Sequence, residues 1–143
     1  MYKIDLSRFV GVQQRDYGTA FKEISNGRKV SHWMGYIFPQ IYGLGRSSIF
    51  EYYAIKSSEK AKAFLEDSYL GGNLRSICNA LLKVSTNNAT EVFGRPDDMK
   101  SRSCMTLFSF VSNGESVFNE VLAKFFSGKQ DFRTIKILQE MKS

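Results

Sequence analysis

The 143-residue chain has one histidine, one tryptophan, two prolines and two cysteines, and each shortage excludes something. Cys78 and Cys104 stand in no CxxC and at no metal-ligand spacing, so in their apolar helical surroundings they read as small hydrophobes. With His32 as the only imidazole, a zinc site would need an unusual ligand set, and neither a metal nor a cofactor is expected. No apolar run approaches the ~20 residues of a membrane span. The opening MYKIDLSRFV is cut by Lys3, Asp5 and Arg8 and lacks an apolar segment of the signal-peptide kind. The expectation is a cytoplasmic protein with no membrane partner. No segment alternates apolar and polar residues over a strand's length between turn residues, so no strand is required. Runs of Lys and Arg are missing too, because the net charge of +6 is scattered among acids. That excess favours an anionic partner in general terms, but no stretch has the length of a nucleic-acid arm. No internal repeat of fixed period is visible, which argues against a regular solenoid.

What is present is material for a core. Hydrophobic residues make up 43% of the chain, enough for one helical domain over 1–143 to fold without staples. Asp5 is placed to cap a first helix with Leu6, Phe9 and Val10 inward. A break is expected near Gln13–Asp16, giving two short helices or one bent helix, after which Tyr17, Ala20, Phe21 and Ile24 run to a stop at Asn26-Gly27. Ser31 can cap a helix over His32–Phe38 that Pro39 ends. Gln40–Arg46 reads as a loop on account of Gly43 and Gly45. Further helices begin at Ser47 or Ser48 and at Ser57 or Ser58. Gly71-Gly72 reads as a joint ahead of the stripe Leu74, Ile77, Cys78, Leu81 and Leu82. Asn88 with Glu91 resembles a capping box, and Arg95-Pro96-Asp97-Asp98 signals the start of a helix carrying Cys104, Leu107, Phe108 and Val111. Val117, Val121, Leu122 and Phe125 line the next helix, and Asp131 caps the last. The sum is an all-α fold of about seven to nine short helices in irregular orthogonal or superhelical packing.

One stretch stands out chemically. Gly27–Arg46 holds the sole His and Trp in an apolar run bracketed by Arg28, Lys29 and Arg46, a pattern suited to a pocket wall. His32 has the chemistry of a general acid or base, or of a histidine that holds its neighbours at a helix start. Trp33, Tyr36 and Phe38 offer flat faces to a ligand; alternatively Trp33 and Ile37, four apart, pack inward and Tyr36 keeps its hydroxyl towards water. Gln40 opens a loop that ends in Gly43-Leu44-Gly45-Arg46-Ser47-Ser48. Those residues have the parts of an anion-binding turn, yet match neither the Walker pattern nor GxGxxG. Of Asp97 and Asp98, one is expected to serve the helix start. Asp98 is expected to be the exposed one, able to orient His32 or act itself. Ser101 and Ser103 lie nearby without a nucleophile motif.

Four segments carry a likeness. SHWMGYIFPQIYGLGRS (Ser31–Ser47), FGRPDDMKSRSCMTLF (Phe93–Phe108), DLSRFV (Asp5–Val10) and LGGNLR (Leu70–Arg75) resemble the family called domain of unknown function 1810. The resemblance covers nearly the whole chain and implies a compact all-α domain with no established activity. Members sometimes carry the label calpastatin, which does not fit, since that inhibitor is disordered and this chain is rich in core residues. Gly35 departs from the family's tendency to a second aromatic after HWM.

The combined expectation is a helical domain with a pocket built by 28–47 and 95–104 for an anionic, phosphorylated or nucleotide-like small molecule. His32 and Asp98 are the candidate catalytic pair. Arg28, Lys29, Trp33, Tyr36, Gln40, Arg46, Ser47 and Asp97 are the candidate ligand contacts. If the domain is an enzyme, hydrolytic or lyase-type chemistry without a redox cofactor is the default. The alternative is a non-catalytic interaction module for a protein or nucleic-acid partner. Oligomeric state is not legible.

Overall fold

Capping side chains set the starts of several helices. In the computed structural model, which describes residues 4–141, the described residues form α1 (Ser7–Ser25), α2 (Met34–Ile37), α3 (Ser48–Tyr53), α4 (Ser58–Glu66) and α5 (Ser68–Lys83), followed by α6 (Ala89–Phe93), α7 (Asp97–Val111), α8 (Ser116–Phe126) and α9 (Phe132–Met141). Lys3, read above as interrupting the N-terminus, lies outside the described residues. Ser47, Ser57, Asp67 and Asn88 each accept a backbone N–H from the first turn of the helix that follows, satisfying donors that would otherwise be orphaned. At the far end of α5, the Lys124 ammonium donates to the carbonyls of Leu81, Leu82 and Val84, where the helix dipole favours a cation.

The fold is all-α, with no strand among the described residues and a single isolated bridge between Ile41 and Ile55. α1 packs on α5, which also meets α4 and α8; α7 touches α4, α6, α8 and α9 and is the hub of the second half. Its face from Ser101 to Ser109 is buried almost all round. Hydroxyl residues survive there because they bond within reach: Ser101 to the Asp98 carbonyl, Ser103 to that of Met99, Thr106 to that of Arg102, and Ser109 to Asn119. Cys78 and Cys104 are free and buried, and burial pushes both thiols up.

Three sequence expectations need correction. The break near Gln13 does not occur, and α1 is continuous. Gln13 is buried instead, donating to the Tyr36 carbonyl (2.8 Å) and accepting from Asn73 (3.0 Å), so a polar residue sits inside without breaking the helix. Gly71 and Gly72 are not a joint, since α5 runs through them. At Gly71 a Cβ would lie 1.9 Å from the Leu65 carbonyl oxygen, so the glycine lets the end of α4 press on α5. The helix expected over His32–Phe38 is only Met34–Ile37, because Ser31 is engaged elsewhere.

Candidate functional site

The segment from Lys29 to Phe38 is fastened from behind by one carboxylate. Glu23, near the end of α1, accepts from the Val30 and Ser31 amides (both 2.9 Å), the Ser31 hydroxyl (2.6 Å) and Trp33 Nε1 (2.8 Å). Burial raises its pKa, but the hydrogen bonds from Ser31, Val30 and Trp33 outweigh that and leave it at about 2. Sequence reading missed Glu23, which looks like any acid on a helix. Trp33 is therefore core, 1% exposed and packed near Phe38, with no open face for a ligand. Phe38 in turn meets Phe93 edge-on at 5.5 Å, tying the segment to α6.

The opposite side of the same segment is open. A cleft of about 680 Å³, within the range of small-molecule sites, is lined by Lys29, His32, Tyr36, Asp97 and Lys100 together with Arg15 and the α3 residues Ile49, Tyr52 and Tyr53. Lys29 reaches Asp97 at 2.9 Å with its side chain 9% exposed, and its ammonium lies 5.2 Å from the Trp33 ring centre. Lys100 approaches the other Asp97 oxygen at 3.5 Å. The imidazole of His32 is exposed and bonded to no described residue.

Tyrosines form the apolar side. Tyr36 and Tyr53 meet at 5.1 Å, and Tyr53 meets Tyr52 edge-on at 4.8 Å. Arg8 steadies Tyr52 by stacking over its ring at 4.3 Å and donating to its carbonyl at 2.7 Å. The Tyr36 hydroxyl does not face water as expected. It donates to Asp16, which also takes two hydrogen bonds from Arg15. Those bonds, from Arg15 first and Tyr36 second, hold the Asp16 carboxyl below its usual range. Burial first, and then the hydrogen bond to Asp16, push the Tyr36 phenol up.

Thus Lys29, His32, Tyr36 and Asp97 meet around one concavity, and the other sequence candidates do not join them. Asp97 and Asp98 exchange their expected places. Asp98 is buried, accepting from the Thr90 hydroxyl (2.7 Å) and the Met99 amide (2.8 Å), so it cannot orient His32. Arg28 is exposed beside a separate groove with Thr90 and Glu91. Gln40 is buried and borders a different hollow with Pro96 and Arg133. Arg46 is exposed and lines no part of the cleft. Ser47 spends its hydroxyl on the Phe50 amide at 3.1 Å. The glycines between have structural work: Gly43 needs a φ of +110°, and a Cβ at Gly45 would press on the Phe50 ring at 3.0 Å. Arg15 and Tyr52 were missed, because only the fold brings α1 and α3 here, whereas Lys100 lies within the expected 95–104 wall without having been named as a ligand contact. No group of three or more potential metal ligands occurs among the described residues, and no described helix is long and apolar enough to cross a membrane.

A family model described as "Protein of unknown function (DUF1810)" matches residues 3–138. Among solved structures, the chain is similar to the conserved hypothetical protein Rv1873 from Mycobacterium tuberculosis. That similarity has 39% identity, covers 94% of this chain and 96% of that one, and has a TM-score of 0.92. No curated protein matches.

Proposed function

The chain belongs to that family of proteins of unknown function, and we propose that it binds a small anionic molecule bearing a flat ring, of the phosphorylated or nucleotide-like kind. The observation that carries this reading is the cleft itself, where cations and tyrosine rings share one recess of ligand size. Three cations, Lys29, Lys100 and Arg15, stand against two carboxylates, Asp97 and Asp16, so one positive charge is left over for an anion. The Arg15–Asp16 pair is exposed on the Arg15 side, and such pairs exchange partners at little cost. Tyr52, already fixed by Arg8, presents area for a ring without further ordering. His32 has the chemistry for proton transfer but no orienting group, since both Asp97 oxygens face lysines. Binding is therefore the reading, with His32 as a polar contact at the rim.

Calorimetry and thermal shift with AMP and with ribose 5-phosphate test it. Saturable binding is expected, and a ligand at ~100 times its dissociation constant should stabilise the fold by about 2.7 kcal/mol. Lys29→Ala and Lys100→Ala should each weaken it about tenfold, the scale of a lost charged contact, while Arg46→Ala changes nothing. No stabilisation by either probe sinks the reading. Preference for oligonucleotides with affinity falling steeply with salt would replace it with a nucleic-acid surface.

A further inference from the structure

Gly35 has no evident reason to be glycine in the fold. It lies inside α2, where glycine is less favourable than alanine. Its φ is not positive, and a Cβ built on it meets nothing within 4 Å. Gly45 and Gly71 differ, because a side chain there would strike Phe50 or the Leu65 backbone. What the missing side chain does leave is space, and that space belongs to the cleft: Met34, Gly35 and Tyr36 all line it. Two apolar side chains of the same recess, Tyr52 at 53% and Ile49 at 70% exposure, are open to be covered.

We propose that Gly35 is a specificity-determining residue: the room in front of it receives the flat base of the ligand, while Lys29 and Lys100 hold the anionic end. The site then selects a nucleoside monophosphate with a two-ring base over the same sugar phosphate without one. This rests on the binding reading above. A ring grown from position 35 would occupy the base's place, and a mismatch of even one or two carbon groups in a fitted pocket changes affinity by about tenfold or more.

The test compares the wild type, Gly35→Ala and Gly35→Phe by calorimetry with AMP and with ribose 5-phosphate, alongside melting without ligand. The wild type should bind AMP at least about tenfold more tightly than ribose 5-phosphate. Gly35→Phe should lose that preference while keeping its affinity for ribose 5-phosphate, and Gly35→Ala should melt no lower than the wild type. A Gly35→Phe protein that binds AMP as the wild type does, weakens both probes equally, or fails to fold overturns the proposal, as does a lowered melting point for Gly35→Ala. If the wild type binds both probes alike, only the role of Gly35 falls. If it binds neither, the binding reading falls and this one with it.

Discussion

On one side of residues 29–38, Glu23 takes hydrogen bonds from Val30, Ser31 and Trp33; on the other, Lys29, His32 and Tyr36 border a cleft. The first side is neutral donors converging on a charge, with few alternatives open to any of them. The second has charged partners shared unevenly, Asp97 between two lysines and Asp16 between Arg15 and Tyr36. A segment with so little helix of its own needs the first arrangement to hold the second in place. Damage to the closed side should therefore appear as lost stability, and damage to the open side as lost binding.

The largest effect is expected from Glu23→Ala. Removing the carboxylate orphans a buried indole N–H and the Ser31 donors, and should cost about 3 kcal/mol in urea unfolding. Trp33→Phe keeps a ring but loses the bond to Glu23 and some volume, for about 2 kcal/mol. Acid acts on the same side. Because the folded pKa of Glu23 is about 2 against an ordinary 4.5, its contribution is complete above pH 4.5 and is lost as pH falls towards 2. Melting temperature followed across that window should fall, and Glu23→Gln should flatten the slope; an unchanged slope would show that another carboxylate governs acid unfolding. On the open side, Lys29→Ala should cost about 1 kcal/mol in stability while removing most of the affinity for AMP. The smallest change is expected from His32→Ala, within about 0.5 kcal/mol of wild-type stability. A large loss of stability there would erase the distinction between the two sides.

The all-helical fold was readable because capping residues and apolar stripes agreed along most of the chain, as at Ser57, Asn88 and Asp131. Reading failed where a partner distant in sequence decided the outcome. Gln13 looks like a helix interruption until Tyr36 and Asn73 satisfy it. Asp97 and Asp98 are adjacent acids in one first turn, and only Thr90 on α6 and Lys29 before α2 tell them apart. The site was legible in its first part, Lys29 to Tyr36, since the residues are rare types crowded together. The 95–104 wall was anticipated as well, but the walls from Arg15 and Tyr52 consist of common residues with no local signal.

The contact at Gly71 reaches beyond this one chain. With a carbonyl oxygen occupying the place of a side chain, α4 and α5 can stay as near as they are only while that position is bare. A saturation library selected for folded protein should accept a single amino acid at position 71 and several at position 72, whose surroundings are empty. Among chains built on this plan, a lone obligatory glycine in the first turn of the fifth helix would be its signature, independent of whatever the cleft holds.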